Sequence, residues 1–429
     1  MSLPNQSLLE TKAQFPPERF AALLRGQGPV SWWGRGNFWL VTDHKLATAL
    51  LKSPDFSCDR TPFFLSRMPH LDPSLIRDFF GVVGKMMVMS DGDRHAARRG
   101  IAALGLADEV LDSFAPRVEA TVRGLIDRVA ERGRFDFVTD LARHVPSLAL
   151  AELFSIPESE RESFYRWSNN MTQFFGGASQ YRNEDGIEVN QSAVALREYF
   201  TRLMEERRRR PQGDFLSILL QHQQAFGLTD AEIVSQAVMM LVAGQVTTTD
   251  QMANNFYTLM THPGALAALR LDPSLLRTGI EELNRLDPAV TFIFRVTARD
   301  TQIGDQPVPQ GATIFVSTHA VNRDPAVFPE PEGCELGRRS NPHFAYGVGP
   351  HVCIGAKLAR IEMMSLFGQL LERFPELRLD SAETVVRKHH SLAFSGFDHL
   401  PVVTGRAAAP GPRTEGRPVL LSVPAGSPT

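Results

Sequence analysis

The residues with the greatest chemical reach sit in one short loop, Ala345-Tyr346-Gly347-Val348-Gly349-Pro350-His351-Val352-Cys353-Ile354-Gly355. It runs into Ala356-Lys357-Leu358-Ala359-Arg360, whose apolar spacing reads as the start of a helix. Gly347, Gly349 and Gly355 permit backbone angles and close approaches that a side chain would block. They deliver Cys353 to a helix N-terminus, where the macrodipole favours thiolate over thiol. An exposed thiolate in a glycine cradle suits one axial bond to a flat metal macrocycle, which asks the protein for a single ligand. An inert structural thiol beside a turn is the competing use of such a cysteine.

A second stretch, Ala243-Gly244-Gln245-Val246-Thr247-Thr248-Thr249-Asp250, lies inside a long apolar segment. Glycine followed by three threonines is a poor helix interior, because Gly costs about 1 kcal/mol against Ala. Threonine hydroxyls also bond back to the preceding turn and loosen it. A third stretch, Asp91 to Arg99, places His95 and Arg99 four apart and so on one helix face. Taken alone, such a pair reads as a solvated basic patch.

The loop pattern aromatic-Gly-x-Gly-x-His-x-Cys-x-Gly resembles the haem loop of the cytochrome P450 family, with Tyr346 where the family usually has Phe. The resemblance runs in order from about residue 30 to residue 402 and implies haem b (iron protoporphyrin IX), with Cys353 as the axial iron ligand. It implies an oxygen-binding groove at Gly244, Val246, Thr247 and Thr248, with Thr247 at the key threonine and Val246 in place of the usual acid. It implies that His95, Arg99, Arg295 and His351 bind the haem carboxylates. Glu282, Arg285 and Arg338 resemble the family's buried Glu-Arg-Arg triad, to which a structural role is given. Phe63, Phe64, Met87, Met240, Ala243, Phe292 and Phe394 fall in stretches that line family pockets. Phe174, Phe175 and the glycines after them stand where the family has its substrate lid.

The elements that must position these groups are largely helical. Thr229-Asp230-Ala231-Glu232 is a capping box. Roughly 30 helical residues follow it, on the order of 45 Å at 1.5 Å per residue. The segment is apolar on nearly every face and so is expected to be buried. Val30–Trp33 and Phe38–Val41 flank Gly34-Arg35-Gly36-Asn37 and read as a hairpin. Asp43 is placed to cap a short helix through Leu51. Ile303 to Pro309 and Thr313 to Val316 read together as a small β unit, and residues 394–402 as a closing β turn over the substrate. The expected architecture is mainly α with small β-sheets. One haem domain over residues 1–404 has a long central helix above the haem and the cysteine loop below, and a flexible Pro/Gly/Ala-rich tail covers 405–429.

The chain of 429 residues is 43% hydrophobic, enough for a large core. A formal net charge of −3 gives no sign of a nucleic-acid partner. Cys58, Cys334 and Cys353 form no disulfide framework, which fits a reducing compartment. No run of 18 or more apolar residues and no signal peptide is seen. A cytoplasmic protein of the bacterial type, with no membrane partner, is the expectation.

Three functions fit. The first is a haem-thiolate monooxygenase that uses O2 to hydroxylate a mid-sized apolar molecule of secondary metabolism. Its electrons would come from separate ferredoxin-type partners docking at Arg94, Arg98 and Lys357. The second is the same enzyme class performing desaturation, ring formation, coupling or N-oxidation. The third is a haem sensor without turnover, which needs the cofactor residues but not the groove. A valine at 246 can neither donate nor accept a proton. Either a polar group on the substrate then completes the proton relay, or the reaction needs fewer delivered protons; Asp250 is a further candidate.

Overall fold

The computed structural model describes residues 7–405, apart from 67, 69, 177–181 and 390. The tail expected beyond Gly405 lies outside them. The longest element is the central helix Asp230–Thr261, of 32 residues. The Thr229 hydroxyl accepts the Glu232 N–H at 3.4 Å, and Glu232 Oε2 accepts the Thr229 N–H at 3.0 Å. This reciprocal cap starts the helix where the sequence placed it. The helix is buried along almost its whole length because other helices surround it. These include His144–Leu153, Arg161–Gly176, Asn183–Arg209 and Leu276–Leu286. A helix enclosed on all sides needs apolar residues on all sides.

The glycine–threonine stretch stays helical. Thr247 donates to the Ala243 carbonyl at 2.5 Å and Thr249 to the Gln245 carbonyl at 2.9 Å, the back-bonding that threonines in a helix make.

One five-stranded sheet supports the other side. Its order is Val30–Trp33, Phe38–Val41, Thr313–Ser317, Phe292–Thr297, Phe56–Ser57. The first two strands form the expected hairpin, with Val30 opposite Val41 and Asn37 in the left-handed region at φ 49°. Asp43 Oδ1 caps the helix His44–Lys52 through the Leu46 N–H at 2.8 Å. Stacking of Phe38 on Phe315, ring centroids 4.0 Å apart, joins the sheet to its aromatic core.

One strand assignment needs correction. Thr301–Ile303 and Gln306–Val308 form a separate two-stranded hairpin. Thr313–Ser317 instead joins the large sheet, parallel to Phe38–Val41 and antiparallel to Phe292–Thr297. Proximity in sequence suggested one unit, but pairing with a strand from the start of the chain on one side and with Phe292–Thr297 on the other decides the sheet. Near the C-terminus, Phe397–His399 pairs with Val386–Arg387, and Pro401–Val403 with both Arg134–Asp136 and Arg378–Leu379. Among the described residues, no helix is long and apolar enough to cross a membrane. The architecture is mainly α with small sheets.

Candidate functional site

The cysteine loop feeds the helix Ala356–Arg373, the cysteine helix, through a short turn at Gly349–His351. Gly349 has φ +81°, and a Cβ there would lie 2.7 Å from the Leu51 carbonyl oxygen, so only glycine fits. The Cys353 N–H donates to the Tyr346 carbonyl at 2.7 Å, closing the loop.

A cavity of about 310 Å³ opens between this loop and the central helix. Cys353, Gly355, Tyr346, Gly347 and His351 form one part of its wall, and Gly244, Thr247, Thr248 and Gln251 another. The latter four recur at i, i+3, i+4 and i+7, a single helix stripe. Met240, Ala243 and Phe292 also line it, as expected for an apolar substrate wall.

Cys353 is exposed on the cavity side. Burial by the surrounding protein nevertheless raises its thiol above the ordinary range, against pulls from the Gly355 N–H, Arg99 and Arg360. The expected thiol-lowering effect of the helix end is therefore outweighed in the protein alone. A coordinated cation would reverse the balance, because a metal-bound thiol loses its proton outright.

Tyr346 lines the cavity with the cysteine, and its extra hydroxyl has a partner. It accepts Asn284 Nδ2 at 3.2 Å, and Asn284 Oδ1 accepts Asn255 Nδ2 of the central helix at 2.8 Å. The Arg360 guanidinium lies 4.4 Å over the ring. The departure from phenylalanine thus ties the cysteine loop to the central helix.

The rings of His95 and His351 lie 3.9 Å apart between centroids, tilted by 33°. Burial lowers the pKa of both, and His351 falls to about 3 with further repulsion from His95 and Arg295. Both rings are neutral in the protein alone, so Arg99 and the buried Arg295 carry the positive charge at this end. The expectation of four cations becomes two guanidiniums and two imidazole donors.

The residues fit a planar iron macrocycle with two carboxylates. His95 Nε2 is fully buried with no hydrogen-bond partner among the described residues, so an acceptor is missing there. A Cβ on Gly355 would meet only Cys353 Sγ, at 4.0 Å, so the space beside the sulfur is kept open. One accessible thiol, with guanidinium and imidazole donors nearby, is the donor set that would hold such a group.

Glu282, Arg285 and Arg338 meet as the spacing implied. Arg285 Nε and Nη2 reach Glu282 at 2.8 Å each, and Arg338 Nε reaches it at 3.0 Å. Arg285 also donates to the carbonyls of Asn322, Pro331 and Gly333, fixing the segment that leads into the cysteine loop.

Other expectations fail on geometry. Val246 is buried and turned away from the cavity wall, since it falls on the helix face opposite the Gly244–Gln251 stripe. Asp250 shares that outer face and binds Lys388 Nζ at 2.7 Å. Met87 points into the core, its N–H held by Gln236 Oε1 at 2.9 Å, while its neighbour Val88 lines the cavity. Phe394 is off this wall because its turn is held elsewhere: Lys12 Nζ donates to its carbonyl, and Val290, its bridge partner, takes the wall position. Phe64 packs in the core and Phe174 against Phe79. The side chains of Phe63 and Phe175, and Gly177 of the lid, lie outside the described residues.

The docking expectation also changes. Arg98 is buried, with Nη2 on Glu232 at 2.9 Å. Arg94 pairs with the same carboxylate, and Lys357 with Asp108 and Asp112. The capping acid of the central helix therefore consumes charges that looked free in sequence.

Two cavity residues were missed. Arg60 lines the wall with burial lowering its pKa to about 10, but its stretch lacks any period. Glu362 lines it from the cysteine helix, and its spacing from Leu358 placed an acid on an apolar stripe, a readable signal.

Comparison with known proteins agrees with this geometry. The cytochrome P450 family model matches residues 77–272 and 273–395. A biotin biosynthesis cytochrome P450 of Bacillus subtilis is 30% identical over 90% of this chain and 95% of its own. Cytochrome P450 105C1 of a Streptomyces species is 38% identical over 90% and 95%. The crystal structure of P450BioI with an acyl carrier protein bearing hexadec-9Z-enoic acid superposes with a TM-score of 0.83 at 29% identity, covering 93% of this chain and all of that one. A cavity walled by a glycine-cradled cysteine and a threonine stripe, on a fold shared with P450BioI over 93% of this chain, makes this chain a cytochrome P450 monooxygenase, an enzyme of haem iron.

Proposed function

We propose that this enzyme hydroxylates a mid-sized, largely apolar small molecule of bacterial secondary metabolism, at haem b held by Cys353. It works in the cytoplasm with electrons from a separate ferredoxin and its reductase. The observation that carries this reading is the facing of Cys353 and the Gly244–Thr247–Thr248 stripe across one cavity with an apolar wall. Relatives with monooxygenase names support the metabolic setting, among them PikC of Streptomyces venezuelae, 31% identical over 92% of both chains.

Cys353 would hold the iron, and Arg99, Arg295, His95 and His351 the two carboxylates. Bound there, the haem supplies reductive activation of O2. Met240, Ala243, Leu150 and Phe292 exclude water and hold the apolar body of the substrate. The Thr247 hydroxyl, already donating to Ala243, keeps its lone pairs to accept a hydrogen bond from a group in the groove. One oxygen atom enters the substrate and the other leaves as water, with two electrons and two protons consumed.

For the electron donor, Arg123, Arg270 and Arg277 replace the cations that are spoken for. They line a groove beside the cysteine helix together with Lys357 and the half-exposed Met364. Arg123 and Arg277 make no ion pair among the described residues, which suits an acidic partner.

The test is a substrate-shift titration on the purified enzyme, followed by product analysis with surrogate ferredoxins. Hexadec-9Z-enoic acid and testosterone are the first ligands to try, since structures of similar proteins hold them. A hydroxylated product from an apolar ligand supports the reading. A dehydrogenated, ring-closed or N-oxidised product as the sole outcome refutes hydroxylation.

A further inference from the structure

In the haem-loaded enzyme proposed above, Arg99 and Arg295 match two carboxylates charge for charge. Arg60 on the cavity wall is then a guanidinium to spare. The other titratable groups of that wall bring no charge to meet it. Burial keeps the protons on Cys58, Tyr346 and Glu362 at neutral pH and keeps them off His351. Cys353 is assigned to the iron. Burial, with repulsion from Arg295, lowers the pKa of Arg60 to about 10, so it stays a cation at neutral pH.

Arg60 is held in place but not neutralised. Its Nη2 donates to the Val88 carbonyl at 3.4 Å and to Met89 Sδ at 3.3 Å, and its guanidinium lies 5.9 Å over the Phe64 ring. Its Nε is fully buried with no acceptor among the described residues. Two acids, Asp59 and Asp91, reach it through their charge. Both are engaged elsewhere: Asp59 Oδ1 accepts the Thr61 N–H at 3.0 Å, and Asp91 accepts the Ser57 hydroxyl at 2.5 Å and the Cys58 N–H at 3.0 Å. Among the described residues neither forms an ion pair with Arg60. A buried donor on a cation is costly to leave unpaired, so an acceptor is called for within the cavity.

We propose that the substrate is an apolar molecule with one carboxylate, which Arg60 binds as a specificity-determining residue. The Nε–H donates to a carboxylate oxygen, and the two charges offset each other inside the cavity. The apolar body then lies against Met240, Ala243 and Phe292 on the same wall. A neutral ligand would leave the cation unpaired. A phosphate monoester would bring about 1.5–2 negative charges, more than one guanidinium offsets. This rests on the monooxygenase reading and narrows its substrate to a chemical class.

The test compares matched ligands on the haem-loaded enzyme at neutral pH. Hexadec-9Z-enoic acid and the straight-chain acids from octanoic to hexadecanoic are each titrated against the primary alcohol of the same chain. Binding is followed by the haem spectrum and by isothermal calorimetry. Wild type should bind at least one acid about 10–100-fold more tightly than its alcohol, the range of one charge-assisted bond. Arg60→Gln should bring that ratio to about one, and Arg60→Lys should keep part of it. If Arg60→Gln does not fold, the wild-type ratio and Arg60→Lys carry the test. The proposal is overturned if no acid binds, if every acid binds within about threefold of its alcohol, or if the ratio survives Arg60→Gln. A haem carboxylate is the other source of the same chemistry. An Arg60→Gln protein that sheds haem to apomyoglobin faster than wild type, with its acid-to-alcohol ratio unchanged, gives Arg60 to the haem and overturns the proposal. The carbon monoxide spectrum separates the two readings. A wild type without a thiolate-type band defeats the haem-thiolate enzyme itself, while calorimetry still reads the acid preference; an intact band with no acid preference defeats Arg60 alone.

Discussion

Replacing Glu282 with leucine removes the negative charge on which two buried guanidiniums depend. The carboxylate takes Arg285 Nε and Nη2 at 2.8 Å each and Arg338 Nε at 3.1 and 3.0 Å. It also takes the Glu335 N–H and Asn341 Nδ2, both at 3.1 Å. Glu282 and Arg285 are 0% exposed and Arg338 is 7% exposed, so water cannot replace the lost partner. Glu335 also reaches Arg338, at 3.4 Å, but its side chain is 63% exposed and offers little compensation. Removing one member of a buried pair costs about 3–5 kcal/mol, and two stranded cations argue for the upper end. Against a total stability of about 5–15 kcal/mol, that is a third or more of the whole. The assay is thermal and urea unfolding of Glu282→Leu, Glu282→Gln and Arg338→Lys, with haem content measured alongside. Glu282→Leu should lower Tm by of order 5–10 °C and lose haem. Glu282→Gln should fall between, because the amide keeps one acceptor. A Glu282→Leu protein melting within about 2 °C of wild type would refute the reasoning.

Reduced enzyme with carbon monoxide should show the red-shifted Soret band of thiolate ligation, and Cys353→Ala should lose it; a retained band would mean another ligand. Arg295→Ala or Arg99→Leu should weaken haem binding about 10–100-fold, from charge-assisted bonds of about 1.5–3 kcal/mol. Full occupancy of both variants after dialysis against apomyoglobin would count against these anchors. Glu281 and Asp287 are held down to about 2, because Arg360 and Arg387 respectively outweigh the upward push of burial. Their contribution is fully present above about pH 4 and is lost as pH falls from there through about 2. Glu281→Gln should therefore flatten acid unfolding in that window, and an unchanged slope would contradict the pairing. Glu362 has the opposite sign: its neutral form stabilises the fold at low pH, and that contribution drains away as pH climbs from about 4 towards about 8. Glu362→Gln should gain Tm relative to wild type between about pH 5 and pH 8; parallel curves would show a carboxyl already ionised or solvated.

Much of the site was legible because it is written in local spacing. Gly347, Gly349 and Cys353 belong to one loop, Glu282 and Arg285 to one helical turn, and Thr229 and Glu232 to one cap. Such pairs meet whenever the helix or turn forms, whatever surrounds it. The central helix was legible for the same reason: residues apolar on all faces have nowhere to go but a core. The stripe of Gly244, Thr247, Thr248 and Gln251 follows from helical period once a cavity is known to lie on that side.

What the sequence could not determine is which face looks where, and which charge is already taken. Arg98 read as a docking cation until Glu232, from a helix over a hundred residues away, proved to hold it. Asp250 read as a possible relay acid until Lys388 proved to lie against it. His95 and His351 read as two cations, yet burial, and then the closeness of the two rings, disfavours charge on them. Arg60 sits in a stretch without period and reaches the cavity only because the sheet and the cysteine loop close around it. The sequence by itself determined the glycine-cradled cysteine loop, the helix that crosses the core and the Glu282–Arg285 pair, because backbone geometry binds residues close in the chain. Only the tertiary structure decided which acid lies buried on the cavity wall, which residues near the cysteine loop keep a positive charge and which surface cations have an ion-pair partner among the described residues, because burial and ion pairing depend on neighbours that the chain brings in from afar.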